Sequence, residues 1–379
     1  MKVLVIGSDR KLFEEGSDVR GRIIEYGSLF EELHIIVFST TRLQKQRIAP
    51  NVWIYPTNSR SRFFYSIDAV HLGKQVCRKA RFDRAADIIS TQDPFEAGLS
   101  GWLLKRASGI PLQMQVHTDF LSPYFGKESA LNRIRVRIAT FLLPRADGIR
   151  VVSERIRQSI LPIVGEHRNA IFVLPIFTDT AAFEHASRVS DMRAEFPDGS
   201  FVLFMASRLT PEKNIHMAIQ ALRDPCIREY DICLYIIGEG PQKDMLTQEI
   251  SAYGLDKRVR IKEWTSAVAS YYTSADAFVL TSDYEGYGRT AIEAMAAGVP
   301  VIMTNVGVAG ELLLHEENGI VIPVRDTKAL ARAIRELYED PEKRKRIIKA
   351  AHDTIQHLSQ TTHAEYLHAY KQSLERCLQ

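Results

Sequence analysis

Two glutamates, Glu285 and Glu293, stand eight positions apart in "SDYEGYGRTAIEAMAAGVPVIM", with Gly286 and Gly288 between them and small residues around the second. Carboxylates accept hydrogen bonds from hydroxyl groups, and glycines, lacking Cβ, let a ligand come close to the backbone. The loop "EGYGRT" leads into a helix expected to start at about Gly288 to Thr290. Its first-turn N–H groups have no partner inside the helix and favour an anion. Upstream, "FVLFMAS" is followed by Arg208 and Lys213 in "RLTPEKN", where the strand stops, Pro211 turns the chain and a helix begins near Asn214. Cations beside a helix N-terminus make a diphosphate site, and acids on either side suit the hydroxyls of an activated sugar. Singly, each residue is an ordinary surface charge or helix glutamate. Their joint placement behind parallel strands gives them the functional reading.

The elements that must position these residues follow from periodicity. "KVLVIG", "LHIIVFS", "DIIST", "LQMQVH" and "GIRVVS" read as buried strands in the first half, and "FVLFMAS", "CLYIIG", "AFVLTS" and "VPVIMT" in the second. Amphipathic segments alternate with them, which predicts an α/β protein with two Rossmann-like, doubly wound parallel sheets. Ligands then belong beyond the carboxyl ends of the strands, in a central cleft faced by both domains. "IFVLPIFTDT" breaks the rhythm with a proline and small polar residues and reads as the hinge. The domains are therefore placed at residues 1–177 and 178–379, with the last helix free to cross back to the first. After "VLVIG" the chain continues "SDRKLFEEG", without the G-x-G-x-x-G of a dinucleotide enzyme. Gly238-Glu239-Gly240-Pro241 is a lone G-x-G, and it reads equally well as a helix start with proline first.

Composition bounds the class. The 379 residues, 45% hydrophobic and 25% charged, suit a globular chain with two cores. No apolar run approaches the roughly 20 residues of a membrane span, and "MKVLVIGSD" reads as a strand rather than a leader, so a cytoplasmic location is expected. Cys77, Cys226, Cys233 and Cys377 lack a C-x-x-C spacing and are read as packing residues. The net charge of +3 hides an asymmetry: 26 Lys and Arg against 17 Asp and Glu up to residue 177, and 23 against 29 beyond it. The first half is basic. The "EKRKR" run near the C-terminus reads as a solvated helix face rather than a nucleic-acid patch.

The motifs "ASRLTPEKN", "IGEGP", "SDYEGYGRTAIEAMAAGVPVI" and "ENGIVIP" occur in the order found in the retaining glycosyltransferases of family 4, and Glu285 with Glu293 fits that family's E-x7-E pattern. The chain resembles that family over most of its length. The resemblance implies the GT-B fold, with a nucleotide-sugar donor, UDP- or GDP-linked, held by the C-terminal domain and no further cofactor or metal. It implies that Glu293 binds the donor ribose, Glu285 the sugar hydroxyls, and Arg208 and Lys213 the diphosphate. Gly286, Tyr287, Gly288, Arg289 and Thr290 contact the sugar and phosphates through the backbone. In the first half "VHTDF" resembles the segment with an active-site histidine, here His117, with Asp119 a weaker candidate and Gly16 in the glycine-bearing loop after the first strand. Two departures stand out: the first loop lacks the double glycine, and Trp264 in "RIKEWTS" replaces a usual glycine, where it reads as a core residue. The chain has no D-x-D pair, in keeping with a metal-independent site.

The expected activity is retaining transfer of a hexose to an acceptor hydroxyl of a glycan, a lipid-linked sugar or a small molecule. The alternatives are a nucleotide-sugar epimerase or hydrolase and a non-catalytic sugar-nucleotide-binding subunit. By the same resemblance the basic half holds the acceptor. "SRSRFFYS", with Arg60, Arg62, Phe63, Phe64 and Tyr65, and "NRIRVRIATFLL", with Arg133, Arg135 and Arg137, pair cations with apolar residues and suit an anionic membrane; a solvated helix and a partly buried loop explain them too.

Overall fold

Apolar runs without alternation make strands covered on both faces. In the computed structural model, which describes residues 1–165, 170–187, 192–197 and 199–378, they form two sheets. Strands β1 (Lys2–Gly7), β2 (Glu32–Val37), β3 (Gln46–Ala49), β4 (Val52–Pro56), β5 (Ile88–Thr91), β6 (Leu112–Val116), β7 (Gly148–Val151) and β8 (Ala170–Val173) lie in the order β3-β4-β2-β1-β5-β6-β7-β8. Among the described residues only β3 pairs antiparallel. The second sheet takes β9 (Phe201–Ala206), β10 (Ile232–Ile237), β11 (Val259–Lys262), β12 (Ala277–Leu280), β13 (Val301–Thr304) and β14 (Ile320–Ile322) in the order β11-β10-β9-β12-β13-β14, all parallel.

Each sheet has a switch point. From β1 the chain winds to β2 on one side and later resumes at β5 on the other, and β9 stands in the same relation to β10 and β12. Loops leaving neighbouring strands there diverge and open a crevice.

Contacts divide the chain into one unit of Met1–Pro175 with His363–Gln379 and another of Ile176–Thr362. The division falls inside "IFVLPIFTDT", two residues before the boundary read from sequence. The start of that segment is not hinge, since it belongs to β8 and pairs with β7. The chain's last helix, His363–Glu375, belongs to the first unit. It is held there by polar and aromatic contacts: Gln113 Nε2 donates to the Ser373 carbonyl at 2.6 Å, and the rings of Tyr26 and Tyr370 stack at 4.7 Å.

The helix Arg289–Ala296 stops at Gly298, whose φ of +72° is left-handed, while the Gly298 and Val299 N–H groups cap the carbonyls of Met295 and Ala294. Pro300 then leads into β13. The "EKRKR" run is not wholly solvated: Lys343 is buried at the start of helix Pro341–Leu358, where its ammonium meets both Glu316 and Glu336. The four cysteines are free, and Cys77, Cys233 and Cys377 are buried, as packing residues should be.

Deleting residues 363–379 removes the partners of buried Gln113 and of Arg150, which reaches the Tyr366 hydroxyl at 3.1 Å. Each orphaned buried group costs about 1–3 kcal/mol. The shortened chain should therefore lose cooperative unfolding of the first unit, seen as early exchange of β6 and β7 amides. Unchanged exchange there would show that the helix is dispensable.

Candidate active site

The site grows from the two loops at the switch point of the second sheet. After β9 the backbone runs through Arg208 to a short 3-10 turn, Pro211–Lys213, and then to Asn214, whose φ of +46° aims the chain into helix Ile215–Ala221. Asparagine tolerates that conformation better than most residues. After β12 the second loop carries Thr281 to Gly288. Three bonds tie the loops together: Thr281 Oγ1 donates to the Lys213 carbonyl at 2.8 Å, the Asp283 N–H to the Glu212 carbonyl at 2.8 Å, and Asn214 Nδ2 to Asp283 Oδ1 at 3.0 Å. Arg325 grips the other Asp283 oxygen at 2.6 Å.

The "IGEGP" motif supports the Arg208 loop from behind. A Cβ at Gly238 would lie 1.8 Å from the Ser207 carbonyl oxygen, and one at Gly240 2.4 Å from that of Leu209. Only glycine allows this approach, and it lets the Leu209 N–H reach the Glu239 carbonyl at 2.8 Å. The following helix begins at Lys243, so Pro241 sits in the turn ahead of it rather than at its first position.

A cavity of about 210 Å3 opens beyond the ends of β9 and β12, walled by Ser207, Arg208, Lys213, Trp264, Glu285 and Thr290 among others. Arg208 is largely exposed and touches Glu212 at 3.1 Å. Such an exposed pair is worth about 0–1 kcal/mol, so the guanidinium is readily given up to a ligand. Lys213 and Glu285 are more enclosed and form a close ion pair, with the Ser282 hydroxyl also donating to Glu285 at 2.8 Å. Helix Arg289–Ala296 starts at Gly288, φ +88°, and no side chain among the described residues caps it. Gly286, Tyr287 and Gly288 are buried and Arg289 is exposed.

Glu293 is placed differently from Glu285. It is 2% exposed and is not on the cavity wall; Arg289 Nε donates to one oxygen at 2.8 Å and the Tyr272 hydroxyl to the other at 3.0 Å. Each oxygen keeps a second lone pair for another donor. Tyr272 is itself fully buried between Phe204 and Phe278, with centroids at 4.9 and 5.3 Å. Burial, and then the Glu293 charge, push its phenol well above the usual range, so it remains a proton donor.

In the first unit, His117 follows β6, and its Nε2 lies 2.9 Å from Gln115 Oε1. Loss of solvent, then the charges of Arg150 and Arg22, push its imidazole down to about 3. Asp119 has a buried Oδ1 with no hydrogen-bond partner among the described residues, and burial pushes its carboxyl up. Gly16 has φ +77° and open space around it, the signature of a turn ahead of helix Asp18–Gly27.

The second unit thus brings Arg208, Lys213, Glu285 and Thr290 to one cavity. Trp264 corrects the sequence reading: it is 48% exposed on the cavity wall, not in the core. Sequence reasoning passed over Asp283, Ser282 and Tyr272. The first two lie inside the quoted motif, whereas nothing in the spacing connects Tyr272 to Glu293.

Two parallel-sheet units, the second with a cationic site at its switch point, constitute the GT-B architecture. Residues 31–182 match "Glycosyltransferase Family 4" and residues 189–354 match "Glycosyl transferases group 1". The two matches together span most of the chain, which belongs to glycosyltransferase family 4. Among solved structures, the sucrose-phosphate synthase of Thermosynechococcus elongatus superposes with a TM-score of 0.78 over 98% of both chains at 20% identity. HepE from Anabaena, in complex with UDP-glucose, gives 0.73 at 21% identity over 99% of this chain and 98% of its own. Glycogen synthase from Mycobacterium tuberculosis is 29% identical over 65% of this chain and 59% of its own length. The chain thus spans less than two thirds of that relative. N-acetyl-alpha-D-glucosaminyl L-malate synthase from Bacillus anthracis is 22% identical over 90% of this chain and 87% of its own.

Two stability measurements check this geometry. Tyr272→Phe strips Glu293 of a buried donor and should lower stability by about 1–3 kcal/mol in denaturant titration; a change indistinguishable from zero would contradict the Glu293–Tyr272 bond. For His117, the folded value lies below the ordinary 6.5. Between those two values the unfolded chain binds a proton that the folded chain refuses, so stability falls as pH drops from about 6.5 towards 3. His117→Gln should flatten that slope relative to the parent.

Proposed function

We propose that this glycosyltransferase is a retaining, metal-independent hexosyltransferase that moves a hexose from a nucleotide diphosphate donor, UDP- or GDP-linked, to an acceptor hydroxyl. The observation that carries the proposal is the convergence of Arg208, Lys213, Glu285 and an uncapped helix start on one cavity at a switch point. Breaking the bond between the anomeric carbon and the leaving oxygen puts negative charge on the diphosphate. Arg208, Lys213 and the N–H groups of the first helical turn then bind the departing group more strongly than the intact donor. Lys213 also neutralises Glu285, leaving the second carboxylate oxygen and the Ser282 contact to orient sugar hydroxyls.

The remaining roles extend this reading. Glu293 offers its spare lone pairs to the ribose, and the backbone from Gly286 to Thr290 follows the sugar and phosphates. His117 serves the donor sugar as a neutral imidazole, able to donate one hydrogen bond without adding charge. Gly16 shapes the turn after β1. A nucleotide-sugar donor is supported by the similar HepE, whose crystal structures are complexes with UDP, with UDP-glucose, and with UDP and glucose.

For the acceptor side we propose a sugar or lipid-linked hydroxyl met at an anionic membrane face from the cytoplasm. No helix among the described residues is long and apolar enough to cross a membrane. Phe63 is 95% exposed, with Phe64, Ile67, Leu131, Ile134 and Phe141 also exposed. The helices that carry or follow them, Tyr65–Lys79 and Ala130–Leu142, both pack on helix Glu96–Ser108. Arg60, Arg62, Arg133 and Arg137 are exposed among these apolar groups, while Arg135 turns to Glu96 at 3.0 Å and Tyr65 is buried against Phe38. The latter two therefore leave the proposed surface.

Three experiments test the reading. Arg208→Ala should cut turnover by about two orders of magnitude or more with the melting curve unchanged, because an exposed cation adds little stability; full activity would remove the phosphate role. Proton NMR of the product should show the donor's anomeric configuration kept and chelator without effect, whereas an inverted product or magnesium-dependent recovery refutes the mechanism. Each basic residue near an anionic surface is worth about 1 kcal/mol. Phosphatidylglycerol vesicles should therefore sediment the protein at low salt and release it at high salt, and equal binding to neutral vesicles would rule the surface out.

A further inference from the structure

One face of the first sheet carries a buried polar chain where an aliphatic layer would pack more cheaply. Gln113 and Gln115 alternate along β6, Ser90 lies on β5 and Arg150 on β7, all buried. The direction of every hydrogen bond in this chain is dictated by its two ends. At one end the Ser373 carbonyl only accepts, so Gln113 presents its NH2 there at 2.6 Å and turns its oxygen to the Ser90 hydroxyl at 3.4 Å. Ser90, having donated, accepts from Gln115 Nε2 at 2.9 Å. At the other end Arg150 only donates, and its Nη1 reaches Gln115 Oε1 at 3.1 Å. Both constraints give Gln115 the same orientation. Its oxygen is also the atom 2.9 Å from His117 Nε2, so that nitrogen must carry the proton and Nδ1 is left as the acceptor.

Arg150 is the unusual member. It is 3% exposed, and its partners among the described residues are neutral: Gln115, the Leu174 carbonyl at 3.3 Å, the Tyr366 hydroxyl at 3.1 Å and the Tyr370 ring at 5.1 Å. Its Nε is buried with no hydrogen-bond partner among the described residues. A buried cation with no carboxylate is a poor way to fill a core. Here it disfavours a second charge on the nearby imidazole and pins the amide that orients it.

We propose that Arg150, acting through Gln115, is a positioning residue that holds His117 as a neutral imidazole with its proton on Nε2. The final helix, through Ser373 and Tyr366, completes the frame. The proposal rests on the donor-sugar role of His117, for which tautomer and charge decide whether a given hydroxyl meets a donor or an acceptor.

Long-range proton–nitrogen spectra of the full-length 15N-labelled protein test it without reference to turnover, the His117 signals being those lost in His117→Gln. The expected spectrum shows a single Nε2–H tautomer across about pH 5 to 8. Gln115→Leu, which removes the acceptor, should mix the tautomers. Gln115→Glu, which puts a carboxylate between Arg150 and His117, should move imidazole protonation to higher pH, and it keeps the test alive if the leucine variant does not fold. In Gln115→Leu, kcat should fall by roughly tenfold to a hundredfold at unchanged donor KM. A proton on Nδ1 in the parent, spectra unaffected by both substitutions, or a tautomer change with kcat unaltered would each overturn the proposal. His117→Gln retaining full activity would instead overturn the donor-sugar role, while the spectra still judge the positioning.

Discussion

Everything in the second unit depends on holding two loops together at the point where the sheet changes winding direction. The loop after β9 carries cations and the loop after β12 carries a carboxylate and a helix start, and neither is useful alone. Backbone and side-chain bonds from Thr281 and Asp283 to Glu212, Lys213 and Asn214 fix their spacing. The Lys213–Glu285 pair then sits across the join. Because it balances charge before a ligand arrives, the exposed Arg208 is the group left to respond to an incoming anion.

That constraint reaches into the core. Glu293 is one helical turn beyond the site, yet its charge is tolerated only because Tyr272 and Arg289 satisfy both oxygens. Tyr272 in turn is wedged among Phe204 and Phe278 from β9 and β12, the strands that launch the two loops. Packing under the sheet and hydrogen bonding at its end are thereby one structure, and a change in the aromatic cluster is felt at the carboxylate. The first unit solves a similar problem in another way, burying the Arg150 cation against an amide, a carbonyl and a hydroxyl, the last from the far end of the chain.

Much of this was legible in the residues. Long apolar strands such as "FVLFMAS" and "CLYIIG" announce themselves because burial on both faces needs six consecutive apolar positions. β3 and β11 do not, since they are four-residue edge strands, largely half-exposed, with "QRIA" and "VRIK" matching no period. Within the site, Arg208, Lys213 and Glu285 could be found because strand end, glycine and charge occur together locally. Trp264 was misplaced because hydrophobicity alone assigns an indole to the core, and only the position of its loop beside the cavity exposes it.

The sequence by itself determined the α/β class, the cationic loop, the E-x7-E helix and the family they resemble, because each is written in neighbouring residues whose backbone preferences are local. The tertiary structure alone decided that Tyr272 would hold Glu293, that Asp283 would lock Asn214, and that Ser373 would set the hydrogen-bond direction felt at His117. Those pairs are separated by 21, 69 and, for Gln113 with Ser373, 260 residues. No local propensity links such distant positions; they meet only after the strands have paired and the helices have covered them, when every buried donor must find whichever acceptor the fold has brought beside it.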